Sequence, residues 1–188
     1  MISWMMIYMQ NNFNLNLFMM MKLNNYIMLI MLMIMFFITY MNLYIYLNKL
    51  NNKMLIENNI LEIIWTLIPL IIIFFIAIPS IKILYLNNEL NNNLFSIKII
   101  SNQWFWYYDY LYFNNKFNSY MTYWTDFHYN LIETENSMII PFNYNIQLIF
   151  TSMDVIHSWA IPSLNIKMDT IPNQLNNLNF KVNKPGLI

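Results

Sequence analysis

The side chains in this sequence able to do ligating, acid–base or redox chemistry gather in three places. His157 stands in Asp154-Val155-Ile156-His157-Ser158-Trp159-Ala160-Ile161-Pro162 and is the better placed of only two histidines. An imidazole there could bind a metal, although a lone His is also a common structural residue. The run Gln103-Trp104-Phe105-Trp106-Tyr107-Tyr108-Asp109-Tyr110 supports two readings. It is a strand with core aromatics on one face and cross-strand pairs on the other, or an aromatic surface that docks a partner or couples to a redox centre. Glu62 is a carboxylate at or inside a long apolar stretch. That placement is expensive enough to suggest function, and equally suits an interfacial residue beside a helix N-terminus, where the dipole favours negative charge. With no Cys, disulfides and thiolate metal sites cannot be built from this chain alone. His128 reads as a surface residue.

The elements that must position these groups are of two kinds. Residues 26–47 run 22 positions without a formal charge, about 33 Å as a helix and enough to cross a hydrocarbon core of about 30 Å. Residues 48–59 are polar, with Lys49, Lys53 and Glu57, and read as the hairpin loop. Residues 60–86 form a second apolar stretch containing Pro69 and Pro79, which membrane helices tolerate. The spacing therefore predicts two membrane helices, at 26–47 and 60–86, after an N-terminal segment, 1–25. An even number of spans puts both termini on one side. The weak positive bias of the loop puts that loop in the matrix or cytoplasm. From residue 87 onward the pattern turns to short runs of Ile, Phe, Tyr and Trp at 94–100, 103–110, 137–141 and 144–152. This is the signature of a small antiparallel sandwich or barrel.

Composition agrees. Of 188 residues 59% are hydrophobic and only 10% charged, with zero net charge, well below the roughly 25% charged of a soluble domain. Neutral charge and the lack of Arg argue against nucleic acid. Asn, Ile, Met, Phe and Tyr dominate, as AT-rich codon bias in an animal mitochondrial genome would produce. One Gly leaves Asn to fill turns that need φ > 0. Residues 1–23 lack the basic start and small-residue site of a cleavable signal peptide.

In order along the chain, several blocks resemble the mitochondrial cytochrome c oxidase subunit 2 family, with insect members most alike. The match begins at Trp4 and Gln10. It runs through Leu61-Glu62-Ile63-Ile64-Trp65-Thr66-Leu67-Ile68-Pro69, Phe75-Ile76-Ala77-Ile78-Pro79-Ser80 and Gln103-Trp104-Phe105-Trp106. It continues in Leu131-Ile132-Glu133-Thr134-Glu135-Asn136, Asp154-Val155-Ile156-His157-Ser158-Trp159 and Asn183-Lys184-Pro185-Gly186-Leu187.

The resemblance implies a two-helix membrane hairpin and, over 87–188, an incomplete cupredoxin-like β-barrel. It implies a subunit of a proton-pumping oxidoreductase that docks cytochrome c and relays its electron, through a dinuclear copper (CuA) centre, to haem a in subunit 1 for oxygen reduction. The location implied is the mitochondrial inner membrane, with both termini in the intermembrane space, and the chain would be inactive alone. Trp104 matches the electron-accepting tryptophan, Asp109, Glu135 and Asp154 match docking acids, and Glu62 matches the mouth of a proton path. His157 matches the first copper ligand.

Several positions depart from the family pattern. Asn115 and Met153 replace acids, so the docking patch is expected to be thinner. Asn173-Gln174 replaces Gly-Arg, and residues 22–26 replace a His-rich segment. In relatives the two Cys, second His and Met that complete the copper site follow just after Pro-Gly-Leu, whereas this sequence reads only to Ile188. Only one copper ligand is therefore expected here. Three readings stay open: part of a longer sequence, a split subunit whose copper loop sits on a second chain, and a copper-free scaffold or assembly subunit.

Overall fold

The computed structural model describes residues 9–50, 54, 56–88, 95–123 and 133–188. It falls into two compact units, one of two helices and one of β-structure.

Helix α1 spans Leu15–Leu47 and α2 spans Asn59–Asn88. The first begins eleven residues ahead of the apolar span at 26–47, because Leu15 to Asn25 contains neither Gly nor Pro and Leu, Met and Lys are good helix formers. Its start is capped by Asn14, whose Oδ1 accepts the Asn16 N–H at 3.2 Å. Asn58 caps α2 in the same way, accepting from Ile60 and Leu61 at 3.1 and 3.2 Å. Both caps occupy orphan amides of a first helical turn. Pro69 and Pro79 lie inside α2 without ending it, each removing one i→i−4 bond. Both helices are long and apolar enough to cross a membrane, and their most apolar windows leave their side chains uncovered. Water could not hold two helices that are apolar all round in this state.

In the β-unit, strands β1 Phe95–Asn102, β2 Phe105–Tyr110, β3 Asn115–Tyr120, β4 Asn145–Ser152 and β7 Asn176–Lys181 form one sheet in the order β3-β2-β1-β4-β7. Strands β5 His157–Ile161 and β6 Ile166–Thr170 pair as a second sheet. Most pairings are antiparallel, but β1 and β4 run parallel, with Ile97 opposite Leu148. A purely antiparallel sandwich, the pattern the short strands suggested, is therefore corrected at this one pair. The core forms because alternate residues of β1 and β4 point inward: Ile97 and Ile99 from one, Ile146, Leu148 and Phe150 from the other. Tyr108, Trp159, Leu164 and Phe180 close over them.

The segment 137–141, expected as a strand, joins no ladder. The Tyr110 hydroxyl takes the place of a neighbouring strand, accepting the Ile139 N–H and donating to the Ile139 carbonyl, both at 2.9 Å. The chain ahead of α1 belongs with this unit. The Phe13 N–H donates to the Ser163 carbonyl at 3.1 Å, and the Asn183 N–H donates to the Phe13 carbonyl at 2.8 Å. The Phe13 ring packs on the core cluster.

Candidate functional site at the β1–β2 turn

Strands β1 and β2 are joined by Gln103 and Trp104 alone, since Asn102 already pairs with Phe105. A two-residue connection this tight asks for φ > 0 within the turn, and Trp104 supplies it at φ 74°. A bulky side chain rarely takes this conformation. The other non-glycine residues with positive φ are Asn114, Asn143, Asn165 and Asn173, where Asn does what the scarce Gly cannot. Trp104 is the exception, and its ring is 87% exposed.

The aromatic run therefore divides. Tyr108 and Tyr110 are buried, Trp106 packs against the core, and Phe105 stacks on Tyr120 with ring centroids 4.6 Å apart. Those residues are core and cross-strand pairs. Trp104 alone stands clear of the strand.

His157 opens β5 opposite Thr170. Its backbone carbonyl accepts the fully buried Thr170 hydroxyl at 3.1 Å, and that hydroxyl lies 2.7 Å from Ser101 Oγ. A buried pair of hydroxyls so ties β1, β5 and β6 together beneath the imidazole. The ring is held separately, its Nε2 lying 2.7 Å from Asp154 Oδ1. The same oxygen accepts the Val155 N–H at 2.7 Å. Ser152 braces the turn, accepting the Asp154 N–H at 3.3 Å and bonding the Val155 carbonyl. The His157 hydrogen bond, ahead of the other causes, holds the Asp154 carboxyl below the usual carboxylate value. The edge of Trp106 meets the His157 ring with centroids 6.2 Å apart.

Trp104 and His157, 53 positions apart in sequence, line one open pocket of about 380 Å³ together with Trp106, Ser119, Met121 and Glu133. The remaining expected site residues lie elsewhere. Asp109 is buried on β2 and pairs at 3.3 Å with Lys116, its cross-strand partner. Glu135 is exposed, its N–H donating to the Tyr120 carbonyl at 2.9 Å. Glu62 sits in the first turn of α2, where the helix dipole favours a carboxylate. His128 lies outside the described residues.

Sequence reading missed the Ser101–Thr170 pair, because small hydroxyls on strands carry no local signal of burial. Its reading of Asp154 as a docking acid did not include the bond to His157. The three-residue step from Asp154 to His157 was the only hint that the two side chains meet.

Two family models together cover nearly the whole chain. Residues 2–83 match the transmembrane domain of cytochrome c oxidase subunit II, and residues 95–188 match its periplasmic domain. The chain is 46% identical over 166 residues to cytochrome c oxidase subunit 2 of Apis mellifera ligustica, covering 87% of this chain and 74% of the relative. It is 43% identical to that of Apis florea over 187 residues, covering 98% and 83%. Among solved structures, the periplasmic domain of subunit II of the cytochrome oxidase of Bradyrhizobium japonicum aligns with a TM-score of 0.48 at 34% identity, covering 52% of this chain and 70% of that one.

Proposed function

Because the chain belongs to the cytochrome c oxidase subunit II family, a component of an oxidoreductase complex, we propose that Trp104 is where the electron from cytochrome c enters the β-domain and that the hairpin anchors this domain in the mitochondrial inner membrane. The observation that carries this is the shared pocket. An exposed indole lines the same cavity as the single imidazole among the described residues. A π-system presented to a partner on one side and to that pocket on the other makes a short route inward. The positive φ of Trp104 supports it, since backbone strain persists where surrounding structure imposes it and clusters at functional sites.

Docking of cytochrome c falls to exposed carboxylate around this turn. Glu135 is its freest contributor, and Asp154 stays partly exposed at 30%. Asp109 contributes least, since Lys116 neutralises it within the same sheet. Steering by such charges raises association rate and weakens with salt. Glu62, in the first turn of α2, is read as the matrix-side mouth of a proton path into subunit 1. Both termini face the intermembrane space in this reading. The bonds from Phe13, ahead of α1, to Ser163 and Asn183, beyond α2, support only the shared side of the termini, because an even number of crossings lets these segments meet.

The family implies a dinuclear copper centre, and the residues of this sequence do not make one up. Such a centre needs thiolates, and the sequence holds no Cys. The described residues also bring no three His, Cys, Asp or Glu together. The proposed path therefore ends at the pocket. A copper-free scaffold subunit is the competing reading.

The test uses the assembled oxidase containing this chain. Trp104→Ala should slow electron uptake in stopped-flow far more than it weakens cytochrome c binding, and equal losses in rate and affinity would remove the relay role. Copper stoichiometry and the near-infrared copper band of the same complex separate the relay from the scaffold. Glu62→Gln should slow proton uptake from the matrix side, and unchanged turnover would leave Glu62 only an interfacial residue beside the α2 N-terminus.

A further inference from the structure

Ser101 is the last buried residue of β1 before the turn that carries Trp104, and every group of the candidate site is tied to it. Trp104 follows it by three positions. Trp106, whose edge meets the His157 ring, stands opposite Ser101 on β2. Ser152, which braces the Asp154 turn, stands opposite it on β4. The Ser101 carbonyl accepts the Met153 N–H at 3.1 Å, at the entry to that turn. The last tie runs through Thr170 of β6. The Ser101 and Thr170 hydroxyl oxygens lie 2.7 Å apart, and Thr170 Oγ1 lies 3.1 Å from the His157 carbonyl.

The direction of these hydrogen bonds follows from what each atom can do. A carbonyl only accepts, so the single Thr170 hydrogen is spent on His157. The hydrogen in the 2.7 Å bond therefore comes from Ser101. The opposite order would give up the bond to His157 for a Ser101 contact to the Thr151 carbonyl at 3.5 Å, the longest and weakest of the three. The chain runs from Ser101 to Thr170 to His157, and bonds in such a chain strengthen one another. Ser101 is 1% and Thr170 0% exposed. Water cannot replace either hydroxyl, so a lost link leaves a buried polar group unmet.

We infer that Thr170 is a positioning residue for electron entry: its hydroxyl ties the backbone of His157 to β1 and so sets the separation of the imidazole from Trp104 and Trp106 across the pocket. The inference rests on Trp104 being the entry point. Trp104 and Trp106 belong to the five-stranded sheet and its turn, whereas His157 belongs to the two-stranded one. The two sheets face each other largely through apolar side chains, contacts that have no preferred direction. A pair of apolar residues would pack the positions of Ser101 and Thr170 at little loss. Only hydroxyls can join β1 to the His157 carbonyl along a fixed line. Asp154 sets the rotation of the imidazole, and Thr170 sets where its backbone stands.

The test uses the assembled oxidase containing this chain. Thr170→Val keeps the shape and removes the hydroxyl. Electron uptake should fall by on the order of tenfold while affinity for cytochrome c stays native. Thr170→Ser, which keeps the donor, should restore the rate. Ser101→Ala leaves the Thr170 donor in place and should cost less than Thr170→Val. The two histidines of the sequence give a second readout, with their carbonyl carbons labelled in the full chain in detergent and assigned through His128→Gln. The His157 carbonyl signal should move upfield in Thr170→Val and stay near its native position in Thr170→Ser and Ser101→Ala. This readout needs no assembled complex, so an unmoved signal in Thr170→Val overturns the proposal even where that variant fails to assemble. So does a signal that moves as far in Ser101→Ala, a Thr170→Ser rate no better than that of Thr170→Val, or a loss of rate matched by a loss of affinity. Trp104→Ala, measured alongside, separates two failures. If it collapses uptake while Thr170→Val leaves uptake native, the positioning role alone fails. If neither changes uptake, the entry role of Trp104 fails and that of Thr170 with it.

Discussion

Nε2 of His157 donates to Oδ1 of Asp154 at 2.7 Å, across a turn that Ser152 braces from behind. A carboxylate only accepts, so the shared proton rides on Nε2. In the neutral ring Nδ1 then carries the lone pair, and ring orientation is held by a group that is itself hydrogen-bonded, as in carboxylate–histidine pairs beside metal sites. This separates Asp154 from a purely steering acid.

Asp154→Asn in the assembled complex should therefore lower electron uptake by on the order of tenfold, a loss larger than its effect on KM for cytochrome c. Long-range nitrogen–proton NMR on labelled histidine should find one Nε2–H tautomer in the native chain and a mixture in the variant. A change in KM and its salt dependence alone would make Asp154 a docking residue and nothing more.

Trp104→Gly should trade activity for stability. Relieving the left-handed backbone is worth about 1 kcal/mol, read as a higher urea midpoint for the full chain in detergent, whereas electron uptake should collapse. Trp104→Phe keeps both the strain and an aromatic ring, so its midpoint should stay native. A Gly variant no more stable than Phe would show that the turn is not strained.

Tyr110→Phe should release the segment 137–141, because one hydroxyl serves both backbone groups of Ile139. Ile139 is largely exposed and water can take over in part, so the cost should lie near the low end, about 1 kcal/mol. Amide exchange at Ile139 should quicken while exchange at Leu148 in β4 does not.

The alkaline limb of stability follows from Tyr108 and Tyr110, both pushed above the ordinary 10.0 chiefly by burial. A folded value above the unfolded one means that their contribution is fully present below pH 10 and is lost as pH rises through the folded values. Unfolding midpoints on either side of pH 10 should fall less steeply in the Tyr108→Phe/Tyr110→Phe double variant. An unchanged slope would show that other groups set the limb.

Phe13→Ala should loosen the link between the chain ahead of α1 and the β-domain. The ring is only partly buried, so a loss of about 2 kcal/mol is expected, below that of a fully buried Phe. The clearest readout is protease sensitivity around Asn11 and Asn12. Unchanged protection would place the hold in the two backbone bonds to Ser163 and Asn183 alone.

Much of this fold was legible because it depends on local sequence. Strands β1, β2 and β4 are interior to their sheet, and their Ile, Phe and Tyr announce burial. Strands β3 and β7 are its edges, rich in Asn and Lys as exposed edges often are, and polarity hid them. Asn was expected to serve turns needing φ > 0, and four positions confirm it. That Trp104 would join them was invisible, because nothing about a tryptophan announces a left-handed turn. Asn173, with φ 59°, is one of the four, in a left-handed conformation that Asn adopts more readily than most residues.

By itself the sequence determined the two apolar helices, the interior strands and the residue types able to do chemistry. Each of these follows from the length of an apolar run, from alternation, or from what a side chain is. Only the tertiary structure decided that β1 and β4 run parallel, that Trp104 and His157 line one pocket, that Asp109 is spent on Lys116 while Asp154 holds an imidazole, and that Ser101 and Thr170 meet beneath His157. Most of these join residues tens of positions apart, and which partner each finds is settled by the packing of the whole chain, to which no local pattern is sensitive. Asp154 and His157 are only three apart, yet their meeting too depends on the turn that Ser152 closes.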